Sequence, residues 1–329
     1  MSLTFTMACQ AYDRMDLLRR GAVRLGDAEV NFLDLPVEET FFRMARFREF
    51  DIAEMSLSSY TLSLSRGAPF VAIPVFPSRA FRHSAIYVRE DSEITDAAQL
   101  AGRAVGVPEY QITAAVWIRG ILAEHHGLPV SSVSYRTGGL DEPGRYEKIA
   151  LDLPDDVSVT PISEGRTLSQ MLLDGEIDAI HSARNPGPYN APGHGGIRRL
   201  FPDTEAVERD YFARTGIFPI MHVLVVRRDV YEQHRWLPRE LMRAAELSKR
   251  VGLAGIDETA ALRFALPWLW AEVERTREAL GDDWWPYGLE ANRHVLDTFL
   301  RYSHEQGLAP ERYRAEDLFA PETLERVVV

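Results

Sequence analysis

The chain has 329 residues, 46% of them hydrophobic, with 37 basic against 49 acidic side chains and a formal net charge of -12. That length suits two packed cores rather than one, so two lobes are expected. The acid surplus argues against a nucleic-acid surface or an anionic membrane as partner, and it makes any local gathering of cations informative.

The first thirty residues mix acids and bases and lack the apolar core of a signal peptide, and no apolar run reaches membrane-spanning length, so a cytoplasmic protein is expected. The run LTFTMAC reads as a first strand, with Cys9 as a buried small hydrophobe; as the single cysteine it forms no intramolecular disulfide, and it receives no redox role. Helix-like DRMDLLRRG follows, then AEVNFLDL before EETFFRMARF, FDIAEM before a Ser-rich segment, and FVAIPVF. Alternation of strands with helical patterns is the mark of a mainly parallel α/β layer.

A second set begins at RAVGVP and continues with a helix over about 111–126, then SSVSYR, DVSVTPI, TLSQMLLDG and EIDAIHSA, which makes a second α/β lobe. From about Phe218, FPIMHVLVV reads as a strand, and LPRELMRAAELSKRVGL, ETAALRFALPWLWAEVERTREAL and LEANRHVLDTFLRYSHEQGL read as helices. The simplest topology leaves lobe one near Phe81 and returns near Phe218. Residues 1–82 and 223–329 then form lobe one with the C-terminal helices, residues 83–222 form lobe two, and two crossings border a cleft.

In open α/β sheets, ligands bind beyond the carboxyl ends of the strands. Tyr12 and Asp13 after strand one, and Glu54 to Tyr60 after strand three, with Ser56 and Ser58 among them, are therefore candidate ligand contacts. Asp13 serves equally well as a helix N-cap. Glu54 ends the buried run DIA and needs a partner there.

The stretch FPSRAFRHSAIYV collects Arg79, Arg82 and His83 at the expected first crossing. A guanidinium binds a carboxylate through two parallel hydrogen bonds, which lysine cannot reproduce. Strand alternation places Arg79 on one face with His83 and Arg82 on the other, unless Pro77 and Ser78 start an irregular turn. His222 lies in the return strand, and two histidines on two crossings suggest proton transfer near neutrality. His181 and Arg184, after EIDAIHSA, are a further pair from lobe two, with a loop or helix-start role as the alternative. In GVPEYQITAAV a Pro turn and small residues open a helix, whose free N–H groups suit an anion; Thr113 adds a hydroxyl. Trp117, one turn further on, fits either a ring stack or the core.

No HxH or HExxH spacing occurs, and neighbouring His125 and His126 point to different sides of their helix, so no metal is expected. GxGxxG after a strand, a Walker loop and a GxSxG elbow are missing too. The aromatic segments PWLW and DDWWPYG suit helix packing or a subunit contact, which leaves a homo-oligomer open.

The pattern EITDAAQLAGRAVGVPEYQITAAVWIRGILAEHHG resembles the element that opens lobe two in type II periplasmic solute-binding proteins. Together with YDRMDLL, FDIAEMSLSSY, IPVFPSRAFRHSAIYVRE, RTGIFPIMHVLVVRRDV and YGLEANRHVLDTFLRYSHEQGL, it makes nearly the whole chain resemble the 4,5-dihydroxyphthalate decarboxylase family, a cytoplasmic enzyme branch of that superfamily. The resemblance implies a two-lobed periplasmic-binding-protein-like α/β fold and cofactor-independent loss of carbon dioxide from a small aromatic dicarboxylate, 4,5-dihydroxyphthalate to protocatechuate. It implies no cofactor. On it, Arg79 or Arg82 holds the carboxylate that stays, because clamping the one that leaves would stabilise the ground state. His83 or His222 donates the proton, Glu54 takes or orients the hydroxyl, and Tyr110 and Thr113 reach the ligand from lobe two. A non-catalytic solute-binding protein for an aromatic carboxylate, of the ABC-transporter type, and an enzyme of this branch acting on another hydroxylated acid share every residue named.

Overall fold

A computed structural model describes residues 3–325, which divide into two compact units. The first takes the chain up to Arg79, His222–Asp297 and the chain from Tyr313 on; the second takes Ala80–Met221 and Thr298–Arg312. Residues 298–312, expected in lobe one with the rest of the C-terminal region, thus belong to the second unit.

Eleven strands occur among the described residues: β1 (Thr4–Cys9), β2 (Glu29–Asp34), β3 (Ile52–Ser56), β4 (Phe70–Arg79), β5 (Ile86–Arg89), β6 (Ala104–Val107), β7 (Ser134–Thr137), β8 (Val159–Pro161), β9 (Ala179–His181), β10 (Ile197–Arg199) and β11 (Ile220–Arg227). One sheet has the order β2-β1-β3-β11-β4, the other β10-β5-β9-β6-β7-β8. In the first, β1 pairs parallel with β2 and β3, while β11 returns antiparallel to β3. In the second, β6 runs parallel to β7 and β9, and β5 antiparallel to β9 and β10.

The central strands are buried on both faces, which is why β3 and β11 read as nearly continuous apolar runs instead of alternating. The helix Val37–Phe47 is amphipathic and buries Phe41 and Met44. The second unit has its own core, including Leu168, Leu172, Ile177, Ile180 and Ile197.

Two local departures from the sequence reading have physical causes. DRMDLLRRG forms a 3-10 turn, Asp13–Met15, and then one short turn of helix, Asp16–Arg19. The segment ETAALRFALPWLWAEVERTREAL is helical only over Leu269–Leu280, because Pro267 disfavours helical backbone at the residue before it. The helix Leu237–Leu253 lies hard against the Asp13–Met15 turn. A Cβ on Gly252 would stand 2.3 Å from the Asp13 carbonyl oxygen and 3.1 Å from the Arg14 nitrogen, so only glycine fits this approach. No helix among the described residues is long and apolar enough to cross a membrane.

Candidate active site

Glu54 stands two residues before the end of β3, opposite Leu224 of β11, and Ser56 stands opposite His222. Alternate residues share a face, so His222 is the diagonal cross-strand neighbour of Glu54. Their side chains meet: Nδ1 of His222 lies 2.6 Å from Glu54 Oε1. The same oxygen accepts the Tyr12 hydroxyl at 2.7 Å. Oε2 accepts the Gln10 backbone N–H at 3.2 Å and the Cys9 thiol at 3.4 Å.

Glu54 is fully buried, and it survives there because β1 and the residues after it supply donors to both oxygens. Burial works to raise its carboxyl. The charge of His222 and the hydrogen bonds from His222, Tyr12 and Gln10 outweigh burial and hold the group below the usual glutamate range. Burial, reinforced by the Glu54 charge, pushes both the Cys9 thiol and the Tyr12 phenol up, so each remains a neutral donor.

With Nδ1 committed to the carboxylate, Nε2 is the nitrogen of His222 left to act, and no described residue bonds to it. The side chain is 17% exposed, against 0% for Glu54, so the pair has a buried end and an accessible end. Phe41 sets its ring edge-on to the imidazole, centroids 4.8 Å apart at 83°. A carboxylate-held imidazole with one open nitrogen is an acid–base device.

Beside Tyr12 lies a residue that the sequence reading missed. The Arg14 guanidinium lies over two rings, 4.2 Å from the Tyr12 centroid and 4.1 Å from that of Trp285. Its Nε donates to the Pro77 carbonyl at 2.6 Å, Nη2 donates to the same oxygen, and Nη1 donates to Asp13 Oδ1 at 2.9 Å. Asp13 therefore spends its carboxylate on Arg14 rather than on capping a helix. The one available signal was the position of YDR directly after the first strand.

The cations expected at the first crossing separate. β4 runs through Pro77 and Ser78 and stops at Arg79, and His83 opens a 3-10 turn, His83–Ala85, so the alternation invoked for Arg79 and His83 ends before it reaches His83. Arg79 is buried in the first unit, where Nη2 donates to Asn292 Oδ1 and to the Pro286 carbonyl at 2.8 Å. Burial pushes its guanidinium down to about 9, still charged at neutrality. In the second unit, Arg82 donates from Nε to the Met221 sulfur at 3.0 Å, and burial takes it down to about 10.

His83 is buried in a nest of rings, with centroids of His126 and Phe201 at 5.6 Å and Tyr211 at 5.2 Å, and neither of its nitrogens has a hydrogen-bond partner among the described residues. Burial, with the nearby His126, pushes it down to about 4. His181 is buried too and is pushed down to about 3, by burial first and then by the Arg119 charge, whereas Arg184 is exposed. Tyr110 is fully buried, its hydroxyl donating to the Gln306 carbonyl at 3.2 Å and its ring facing Arg119 at 3.7 Å. Thr113 opens the helix Thr113–His125 and is buried. Trp117 belongs to the core, donating to the Ile220 carbonyl at 2.9 Å. Ser56 caps the helix Leu57–Leu64 by accepting the Ser59 N–H at 3.4 Å, and Ser58 is buried in that helix. Of the sequence candidates, Tyr12 and His222 are thus both bonded to Glu54. Among the described residues, no group of three or more His, Cys, Asp or Glu side chains is arranged to hold a metal ion.

No family model matches the chain. It is 43% identical over 324 residues to the 4,5-dihydroxyphthalate decarboxylase of Comamonas testosteroni, covering 98% of each chain. It is 44% identical over 211 residues to the 4,5-dihydroxyphthalate decarboxylase of Pseudomonas putida, covering 64% of this chain and 81% of that one. In fold it is similar to the periplasmic aliphatic sulphonate binding protein of Escherichia coli, with TM-score 0.53 at 13% identity over 98% of this chain and 99% of the other. A putative periplasmic sulfonate-binding protein of Methylobacillus flagellatus gives TM-score 0.56 at 11% identity over 97% and 92%. The architecture is therefore the two-lobed periplasmic-binding-protein-like fold expected from the sequence.

Proposed function

Because the chain belongs to the 4,5-dihydroxyphthalate decarboxylase family, we propose that it is a carboxy-lyase that converts a hydroxylated aromatic dicarboxylate, 4,5-dihydroxyphthalate, to protocatechuate in the cytoplasm, as a step of aromatic-acid breakdown. The observation that carries the chemistry is the 2.6 Å contact between Glu54 and Nδ1 of His222, which leaves Nε2 as the acting nitrogen.

In 4,5-dihydroxyphthalate each carboxylate stands para to a hydroxyl. Loss of that hydroxyl's proton to water sends electron density to the carbon bearing the carboxylate, and the Nε2–H of the His222 imidazolium protonates this carbon to give a dienone. The bond to the carboxylate then breaks, its electron pair restores the aromatic ring, and carbon dioxide leaves. The phenol regains its proton, and a proton from water restores Nε2, so one proton is consumed per turnover. No redox partner is required.

Between the two candidate donors the surroundings favour His222. His83 sits among rings at about 4, mostly neutral at pH 7 and without a partner to orient it. His222 has Nδ1 fixed by the carboxylate and an accessible edge, so its imidazolium form has the Nε2 proton left to give. Glu54 is a positioning residue: with both oxygens already accepting donors, it acts through the imidazole rather than on the substrate hydroxyl.

The test is carbon dioxide release from 4,5-dihydroxyphthalate by purified protein. His222→Ala is expected to lower kcat by roughly 10²-fold or more, and Glu54→Gln to lower kcat with little change in KM. Wild-type turnover by His222→Ala would remove the assignment. A solute-binding protein using the same residues would bind the acid and release no carbon dioxide.

A further inference from the structure

The decarboxylase reading needs a cation for the carboxylate that remains on the ring, and neither Arg79 nor Arg82, the two expected to hold it, is next to the Glu54–His222 pair in the hydrogen-bond network of the first unit. Arg79 is turned into the core toward Asn292 and Pro286, and Arg82 belongs to the second unit. Arg14 is one ring away from the pair, since the Tyr12 that stacks on it also donates to Glu54. We propose that Arg14 is the specificity-determining residue that receives the retained carboxylate; this rests on the function proposed above.

The donor inventory supports that role. A guanidinium carries five N–H bonds, one on Nε and two on each terminal nitrogen. Pro77 takes Nε and one hydrogen of Nη2, and Asp13 takes one hydrogen of Nη1. One donor therefore remains on each terminal nitrogen, the pair that a carboxylate accepts with both oxygens. Arg14 is also pre-organised. Two rings lie against it, Trp285 is itself fixed by donating to the Phe76 carbonyl at 2.9 Å, and the Asp13–Met15 turn is braced by Gly252. Little rotamer freedom is left to lose on binding. Asp13 is the acid in direct contact, 33% exposed against 13% for Arg14, and it offsets the charge of Arg14 while the site is empty.

The experiment compares two ligands that share the catechol ring and differ in the carboxylate: 3,4-dihydroxybenzoate and catechol. Dissociation constants of both are measured by calorimetry on wild type, Arg14→Met and Arg14→Lys, alongside carbon dioxide release. Wild type is expected to prefer the carboxylate ligand by roughly tenfold or more. Arg14→Met should bring the ratio close to one while leaving catechol binding within about twofold, and Arg14→Lys should lower the ratio at least about threefold. A wild type without preference, or an unchanged ratio in either variant, overturns the proposal, as does an equal weakening of both ligands. Should Arg14→Met fail to fold, Arg14→Lys decides. Absence of carbon dioxide release by wild type would count against the decarboxylase reading alone, because the ligand ratio is read without turnover.

Discussion

Replacing His83 by Phe separates the two histidines by stability as well as by rate. In the folded chain His83 is pushed down to about 4, while an unfolded histidine titrates near 6.5. A group depressed on folding contributes its full stability above the unfolded value; as pH falls toward 4, the unfolded chain takes up a proton that the buried ring refuses. Between pH 7.5 and 4.5 this one ring accounts for about 2.5 kcal/mol of lost stability. His83→Phe keeps an aromatic ring among His126, Phe201 and Tyr211 and removes the titration. Urea unfolding at pH 7.5 and 4.5 should show the acid loss reduced by about 2.5 kcal/mol. Part of the slope should persist, because His125 and His126 are also pushed down by burial and remain. Overpacking by the larger ring shifts both pH values alike and cancels in the difference. Turnover at pH 7.5 should stay within about threefold of wild type, since general-acid loss costs far more. An unchanged acid loss refutes the burial argument, and a collapse of turnover with the fold intact returns the donor role to His83.

Two further substitutions probe the support around the pair. Tyr12→Phe removes one of the hydrogen bonds that hold the Glu54 carboxyl low, so that carboxyl rises; the acid limb of the kcat–pH profile should move to higher pH, and an unmoved limb would show that Tyr12 does not tune Glu54. Gly252→Ala puts a Cβ 2.3 Å from the Asp13 carbonyl oxygen, a backbone atom that cannot swing aside, so thermal unfolding should register a loss of about 1–3 kcal/mol, and wild-type stability would mean that the helix and the turn separate easily.

The fold was legible because buried strands announce themselves. Runs such as IAEMS and IMHVLVVR are apolar on both faces, and their alternation with helical segments leaves little besides an α/β layer. Glu54 was legible for the converse reason, being a charge inside such a run. Its partner was reachable only through a guess at topology, since residues 54 and 222 are 168 apart and nothing local encodes the pairing. The cation cluster misled for a different reason. Pro77 and Ser78 look like a strand break, yet β4 ends the order of its sheet, and an edge strand tolerates prolines that a central strand would not. Arg14 was invisible because a cation in a short helical stretch reads as a solvated face; only the folded chain brings it against Tyr12 and Trp285.

The pair also depends on a register that the fold enforces. β11 returns antiparallel with Leu224 opposite Glu54 and His222 opposite Ser56. Slipping that pairing by one residue would turn His222 to the opposite face and bring Met221 or Val223 toward Glu54 in its place. The cost of such a slip is large, because Glu54 would lose its histidine inside a fully buried site while an imidazole entered an apolar layer. Val223, Leu224 and Val225 are all fully buried, so packing on both faces holds the same register that the proposed chemistry needs. The acid–base geometry is therefore a property of the strand crossing, and changes in apolar residues of β11 that never touch a ligand are expected to reach turnover through His222.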